Sequence, residues 1–185
     1  MSTRVCPWWL GWLLASPVRK LFQDPARILA PHVREGMTVL EPGPGMGFFT
    51  LELARRVGPA GRVFAVDLQP RMLAGLRRRA DRAGLGARVV TRVAARDSLG
   101  VEDLRGAVSF VLAFALVHEL PDAARFFAEI RAALAPSGKV LVAEPAGHVK
   151  RADFEATLAA AERAGFRREP GPPIARSLTA VLAAA

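Results

Sequence analysis

Apolar runs alternate with helix-like patterns along most of this chain. Strand-like runs begin near residues 38, 62, 88, 108 and 139, and amphipathic segments lie between most of them. Continuous apolar runs are typical of strands that are buried on both faces of a mainly parallel sheet. Alternating strands and helices indicate right-handed crossover units. The pattern therefore predicts an α/β fold.

Helix boundaries are marked in the second half of the chain. Asp122 begins a predicted helix that ends near Leu134, and its apolar residues share one face. A further helix is predicted from Phe154 to Ala164. After it, residues 166–170 and 174–184 are predicted to form two final strands.

The most distinctive segment lies where the first apolar run ends. Glu41 follows that run, glycines stand at 43, 45 and 47, and an apolar helix-like segment comes next. Glycine allows tight turns and lets a ligand lie against the main chain. The first N–H groups of the following helix favour a carboxylate or phosphate. This pattern predicts a ligand-binding turn between a strand and a helix.

The glycine spacing separates two classes of cofactor. A dinucleotide-binding turn would need its third glycine at position 48, which is Phe48. A carboxylate at position 41 suits a ligand with an ammonium group better than a pyrophosphate, because like charges repel. An NAD-dependent oxidoreductase is therefore the least favoured alternative.

A second acidic residue, Asp67, ends the apolar run 62–66 and lies 24 residues after Gly43. An acid at the end of the second strand commonly accepts hydrogen bonds from ribose hydroxyls. The alternative role for Asp67 is to cap the helix that begins near Pro70. We favour the ribose role, because the acid and the glycine turn occur together.

Composition narrows the possible partners. The 185 residues allow one substantial core, and the single cysteine, Cys6, excludes an internal disulfide or a cysteine-based zinc site. The net charge is +9, and arginine supplies most of the positive charge. Its densest cluster, Arg71 with residues 77–79 and Arg82, has no interleaved aromatic residues and is interpreted as a solvated helix face, which argues against a nucleic-acid partner.

The N-terminal segment is rich in tryptophan, at Trp8, Trp9 and Trp12. Its apolar run, residues 5–15, is shorter than the roughly 20 residues that a membrane-spanning helix needs. We interpret residues 1–35 as a helical lid on a domain formed by residues 36–185, in a cytoplasmic protein. Peripheral membrane contact through the three tryptophans is the alternative.

Three segments carry a resemblance to a known family. Residues 41–47 read Glu-x-Gly-x-Gly-x-Gly, which resembles the first motif of class I S-adenosylmethionine (SAM)-dependent methyltransferases. Residues 108–122 and 134–144 resemble the fourth- and fifth-strand regions of their small-molecule type, including the ubiquinone/menaquinone biosynthesis enzymes. The resemblance implies a Rossmann-like three-layer sandwich. Its seven-stranded, mostly parallel sheet would be closed by a C-terminal antiparallel hairpin.

The resemblance also implies roles for individual residues. Glu41 and the three glycines, Gly43, Gly45 and Gly47, would hold the methionine part of SAM. Asp67 would bind the ribose, Leu68 would pack on the adenine, and Phe114 would lie near the sulfonium.

The chain departs from the family pattern after the third strand. Ala95 stands where the family has an acid that contacts the adenine amine, and Asp97 follows two residues later. Either Asp97 substitutes for that acid or the affinity for adenine is reduced.

The best candidate for chemistry is the pair His118 and Glu119, which follows the fourth strand at the ligand-binding edge of such sheets. His118 titrates in a range useful for a general base, and Glu119 could orient it or contact substrate. Alternatively, His118 bonds a backbone carbonyl and Glu119 caps the next helix. His148 follows the fifth strand and could line the same pocket. No metal-ligand spacing is evident.

The sequence therefore predicts a methyltransferase that converts SAM to S-adenosylhomocysteine with a small, apolar or aromatic acceptor. The chain has no tyrosine and lacks the motif of N6-adenine methylation and the arsenic-binding cysteines of arsenite methyltransferases. One alternative is a nucleic-acid methyltransferase, which only the charge favours. Another is a non-catalytic SAM-binding module, suggested by Ala95.

Overall fold

The structure, a computed structural model, describes residues 23–185 and contains a seven-stranded sheet. The strands lie in the order β3-β2-β1-β4-β5-β7-β6. Strands β1 to β5 pair in parallel, whereas β7 runs antiparallel to both β5 and β6. The predicted parallel sheet with a C-terminal antiparallel hairpin is confirmed. The strand bounds are β1 Thr38–Pro42, β2 Arg62–Asp67, β3 Val89–Val93, β4 Val108–Phe114, β5 Leu134–Pro145, β6 Phe166–Pro170 and β7 Ser177–Ala184.

Helices cover both faces of the sheet. The described helices are α1 Pro25–Leu29, α2 Thr50–Arg56, α3 Pro70–Arg82, α4 Ala123–Ala133 and α5 Arg151–Arg163. Side chains of α1, α2 and α3 pack with one set of strand residues, and those of α4 and α5 pack with the other set. The result is a three-layer sandwich with two apolar cores, which confirms the architecture that the family resemblance implies.

Each core takes alternate residues of the central strands. Val39 of β1 and Leu112 of β4 face α1 to α3, while Leu40 and Val111 face α4 and α5. Burial on both faces explains why these strands are continuous apolar runs in the sequence. The alternation also fixes which side of the sheet each side chain at a strand end occupies.

Several predicted boundaries differ from the structure. Helix α5 begins at Arg151 and not at Phe154. Strand β5 begins at Leu134, directly after α4, because Leu134 pairs with Val108 before a register shift in β4. Strand β7 begins at Ser177 and not at Ile174, because Arg176 has a left-handed φ of 59°. Residues 174–176 therefore belong to the turn between the last two strands.

The beginning of the chain is described only from residue 23. Leu29 and Val33 are buried in the core on the α1 side. Trp8, Trp9 and Trp12, and most of the predicted lid, lie outside the described residues. Among residues 23–185, no helix has the length and apolar character needed to cross a bilayer.

The cap of α4 gives a test of the fold. The Asp122 side chain accepts a hydrogen bond from the Arg125 backbone N–H at 2.9 Å. Asp122→Ala removes this bond and should lower the free energy of unfolding by about 1 kcal/mol, measured by urea denaturation. Asp122→Asn keeps a capping oxygen, so its free energy of unfolding should fall by no more than roughly a few tenths of a kcal/mol. Equal losses in the two variants would contradict the capping role.

Candidate functional site

The glycine turn at residues 43–47 follows the carboxyl end of β1, and all three of its glycines have left-handed backbones. Their φ angles are 67° at Gly43, 54° at Gly45 and 85° at Gly47. A Cβ atom at Gly43 would lie 2.9 Å from Leu116, and one at Gly47 would lie 2.3 Å from Leu76. At Gly45, by contrast, a Cβ atom would meet nothing within 4 Å. Gly45 is therefore the position where a ligand can approach the main chain.

Both ends of the turn are anchored. The Gly43 N–H donates to the Val66 carbonyl of β2 at 2.8 Å. The Arg79 guanidinium of α3 donates to the Met46 carbonyl, and burial lowers the pKa of this arginine. The predicted arginine-rich face of α3 is otherwise exposed, at Arg71 and at residues 77, 78 and 82. Arg79 thus differs from the neighbouring arginines because it anchors the glycine turn. The spacing of arginines in the sequence did not reveal this role.

Glu41 lies under the glycine turn and is 4% exposed. The Thr50 hydroxyl at the start of α2 donates to its Oε2 at 2.6 Å. Burial raises the pKa of Glu41 to about 7, the Thr50 bond opposes this rise, and the nearby charge of Asp67 adds to it. A carboxylate that is costly to ionise in this position favours a cationic ligand, which would offset the cost.

Asp67 ends β2 beside the same turn. Its Oδ1 accepts from the Gln69 N–H at 2.8 Å, and the Gly45 backbone also donates to this carboxylate. Burial raises the pKa of Asp67, and these two hydrogen bonds oppose the rise. The cap residue of α3 is Gln69 and Pro70 follows it, so Asp67 does not stand at the cap position. The assignment of Asp67 to a ribose stays a prediction.

An apolar surface continues from Asp67 to the neighbouring strand. Leu68 is 37% exposed and Val93 is 59% exposed. Within residues 23–185, these two are the exposed large apolar side chains. Asp67 pairs with Val93 in the β2–β3 register, which brings Leu68 and Val93 to the same sheet edge. This edge offers a flat aromatic group an apolar contact. Val93 could not be identified as a site residue from the sequence, because its exposure depends on where β3 ends.

The two residues predicted near an adenine amine differ in their surroundings. Ala95 and Asp97 are both exposed in the loop after β3. The Asp97 carboxylate lies 3.4 Å from the guanidinium of Arg125 on α4. Ala95 offers no side-chain acceptor, and Asp97 already has an ion-pair partner. A contact of either residue with an adenine amine stays a prediction.

Aromatic rings close the other side of the glycine turn. Phe114 ends β4, and its ring centroid lies 4.5 Å from that of Phe49, which in turn lies 5.0 Å from Phe48. These rings line a small cavity of about 40 Å³ together with Glu41 and the first turn residues. Phe114 is thus placed beside the carboxylate and the turn, and its position near a sulfonium stays a prediction.

His118 lies in a 3₁₀ turn, Val117–Glu119, after β4. Its Nδ1 is 2.5 Å from Oε2 of Glu144, a residue of β5 that is 1% exposed. Glu119 is farther away, with its Oε1 4.0 Å from Nε2 of His118. The His148 ring lies edge-on to His118 at 5.2 Å between centroids. The closest carboxylate to His118 is therefore Glu144 and not the predicted Glu119.

The turn that carries His118 begins with an unusual backbone. Ala115 has a φ of 52°, and its N–H donates to the Ala143 carbonyl of β5 at 2.7 Å. A left-handed alanine is strained, and such strain is common at functional sites. The bend directs Leu116 onto Gly43, so the glycine turn and the His118 turn are in contact.

Metal ligation has little support in this region. Within the part of the chain that the structure describes, no group of three or more His, Cys, Asp or Glu side chains is close enough to hold an ion. The site is instead a glycine turn between the buried Glu41 and the partly buried Asp67, with an apolar edge on one side and a histidine–carboxylate pair on the other.

Comparison with known proteins points to one family. A family model described as "Methyltransferase domain" matches residues 39–138. A protein-L-isoaspartate O-methyltransferase of Methanothrix thermoacetophila is 39% identical over 66 residues, which is 30% of this chain and 31% of that protein. An arsenite methyltransferase of Halobacterium salinarum is 31% identical over 109 residues, or 59% of this chain and 27% of that protein. The matches thus span about a third or less of these relatives.

Among solved structures, this chain resembles a SAM-dependent methyltransferase from Aquifex aeolicus. The TM-score is 0.83 at 22% identity, and the alignment covers 96% of this chain and 97% of that chain. At this identity the likeness concerns the fold. The alignment is also longer than the family match, which ends before β6 and β7.

The buried Glu41 gives a test that needs no ligand. Its pKa is about 7 in the folded protein and 4.5 when unperturbed, so the stability present below pH 4.5 is lost as the pH rises through 7. The loss amounts to about 3 kcal/mol. Glu41→Gln should therefore be more stable than the wild type at pH 8, by up to about this amount, and similar to it at pH 4.5.

Urea denaturation of the ligand-free protein at both pH values measures this difference. Glu52→Gln is the matched control, because Glu52 pairs with Arg56 at 3.0 Å near the surface of α2. Its effect should stay within about 1 kcal/mol and should not favour the variant at pH 8. A Glu41→Gln variant that is less stable than the wild type at pH 8 would contradict the burial argument.

Proposed function

We propose that this chain, which belongs to the methyltransferase domain family, transfers the methyl group of SAM to a small, apolar or aromatic acceptor. SAM is the methyl donor, and its sulfonium supplies an activated methyl group. S-adenosylhomocysteine is the product. What the chain contributes is binding, alignment and the exclusion of water.

The observation that carries this proposal is a pair of acids on either side of Gly45, of which Glu41 is buried and Asp67 is partly buried. Glu41 is costly to ionise, and the ammonium group of a methionine moiety would offset that cost. Asp67 lies at the end of the adjacent strand, where its carboxylate suits ribose hydroxyls. The open space at Gly45 lets such a ligand lie against the main chain between them. The donor set of this turn therefore fits SAM.

The remaining contacts follow from apolar surface. Leu68 and Val93 would pack against the adenine ring at the exposed edge of β2 and β3. Phe49 and Phe114 would lie near the sulfonium, since aromatic faces attract cations. The same rings would exclude water from the reacting atoms.

The aromatic wall also supports the acceptor class. Phe48, Phe49 and Phe114 form a continuous group of rings beside the glycine turn. Phe48 and Phe49 are buried and Phe114 is partly exposed, so a flat, apolar acceptor would make its contact mainly with Phe114, whereas a highly polar acceptor would lose its hydration there.

Nucleic acid is a less favoured acceptor, because part of the basic cluster of α3 is engaged within the protein. The Arg77 guanidinium contacts Asp81 at 3.4 Å and the Val89 carbonyl at 3.2 Å. Arg79 bonds the Met46 carbonyl. Arg79 is therefore less available for a phosphate backbone, and Arg77 is held in part by a surface ion pair.

Calorimetric titration tests the cofactor. SAM and S-adenosylhomocysteine should bind, and NAD should not. Asp67→Ala should weaken SAM binding about 10- to 100-fold, the usual effect of losing hydrogen bonds to a charged group. Asp81→Ala is the matched control, since Asp81 is an exposed acid of α3 that pairs with Arg77. A folded protein that binds neither SAM nor its product would refute the proposal.

Labelled methyl transfer tests the acceptor. Small phenols, catechols and aromatic amines are incubated with the protein and methyl-labelled SAM, in parallel with total RNA. We expect label in a small aromatic product and none in RNA. Label in RNA that falls steeply with added salt would instead support the nucleic-acid alternative.

A further inference from the structure

Glu144 is a buried carboxylate whose two oxygens both face the turn after β4. Its Oε1 accepts from the Val117 N–H at 2.7 Å, and its Oε2 lies 2.5 Å from Nδ1 of His118. Val142, two residues earlier in β5, packs in the core on the α4 and α5 side. Because side chains alternate along a strand, Glu144 points to that same side. It therefore lies across the sheet from Glu41, which shares its side with Val39.

We infer that Glu144 is a positioning residue that holds His118 with Nε2 available as the proton acceptor for the methyl acceptor. This inference rests on the proposed function and deepens it. It implies an acceptor that loses a proton on methylation, such as a hydroxyl or an N–H group. Acceptors without such a proton would gain nothing from the pair.

The tautomer follows from the chemistry of the two groups. An ionised carboxylate can only accept hydrogen bonds, so a close Nδ1–Glu144 contact requires a proton on Nδ1. Neutral His118 then carries its lone pair on Nε2. The same carboxylate stabilises the imidazolium that forms when Nε2 takes a proton. This is the usual division of roles when a buried acid orients a histidine base.

The charges around His118 support this role. The hydrogen bond to Glu144 raises the pKa of His118, burial opposes the rise, and the charges of Glu144 and Glu119 add to it. His148 is the other titratable ring in contact. Helix α5 packs against the same turn and begins with Arg151 and Asp153 in its first turn. Glu144 is the largest influence on His118 among these groups.

The position of the pair relative to the glycine turn is also suitable. Leu116 contacts Gly43, and His118 follows two residues later in the same turn. Phe114, beside the proposed sulfonium position, lies four residues before His118. The backbone thus brings the histidine to the carboxyl edge of the sheet next to the proposed donor site.

The proposed step is balanced as follows. A lone pair of the acceptor oxygen or nitrogen forms the new bond to the methyl carbon. The bond between sulfur and this carbon breaks with its electron pair remaining on sulfur, which leaves a neutral thioether. The acceptor proton passes to Nε2 of His118, and the resulting imidazolium later releases it to water.

Nitrogen-15 NMR of the imidazole groups tests the pair directly. In wild-type protein saturated with S-adenosylhomocysteine, we expect neutral His118 to be protonated on Nδ1. Glu144→Gln keeps an oxygen that can accept from the Val117 N–H, but it removes the negative charge. The pKa of His118 should therefore fall by about one pH unit or more. Glu119→Gln is the matched control and should lower it less, because that carboxylate is 4.0 Å away.

Two results would overturn the inference. One is a His118 protonated on Nε2 when neutral. The other is a His118 pKa that is the same in Glu144→Gln as in the wild type, in a variant whose backbone spectrum shows that it is folded. Failure of the proposed function would look different, since the wild type would not bind SAM.

The pH profile of methyl transfer adds a kinetic test with the acceptor found in the screen. At saturating SAM, the rate should decrease as the pH drops below the pKa of His118. Glu144→Gln should move this acidic limb of the pH profile to lower pH, by the same amount as the pKa shift that NMR measures. The Glu144→Gln substitution should also reduce kcat at least about 10-fold. General-base catalysis usually contributes about 10²- to 10⁴-fold, and this loss would be a part of it. An unchanged limb would show that His118 takes no proton.

Discussion

The site depends on the parallel pairing of β1 with both β2 and β4. The chain leaves β1 toward β2 on one side, and it returns to the other side only with β4. At such a reversal of strand order, the loops diverge and leave a crevice at the carboxyl edge. Glu41, Asp67, Phe114 and Glu144 all lie at this edge because each stands at the carboxyl end of a strand. One constraint on strand order thus assembles groups that are far apart in the sequence.

Two buried carboxylates occupy this edge on opposite faces of the sheet, and they differ in how the protein stabilises them. Glu144 receives hydrogen bonds from a backbone N–H and an imidazole. Glu41 receives one from the Thr50 hydroxyl, and burial still raises its pKa to about 7. A buried acid that is matched by internal donors suits a fixed positioning role. A buried acid that remains costly to ionise suits a site where an incoming cation supplies the missing stabilisation of the carboxylate.

Much of this arrangement could be predicted from the sequence, because the relevant signals are local. The glycines at 43, 45 and 47, with Glu41 before them, define the turn through backbone conformation alone. Asp67 is marked by the end of an apolar run. The sheet with its terminal hairpin follows from the order of apolar runs and the resemblance to the methyltransferase family.

The pairing of His118 with Glu144 could not be predicted in the same way. The two residues are 26 positions apart. Their contact depends on the β4–β5 register, which shifts between Val108 and Phe110. Sequence proximity instead favoured Glu119, whose carboxylate is farther from the ring. The anchoring role of Arg79 was hidden for a similar reason, since its partner Met46 lies 33 positions away in the turn.

Ala115 shows how the two halves of the site are joined. Its left-handed backbone costs roughly 1–2 kcal/mol for a residue with a Cβ atom, and the bond from its N–H to Ala143 helps to hold it. An extended residue here would continue β4 and carry Leu116 away from Gly43. The strained bend keeps Leu116 against the glycine turn and leaves the Val117 N–H and His118 facing Glu144. Because the same short turn contacts both sides, a ligand that rearranges the glycine turn would also act on the position of His118.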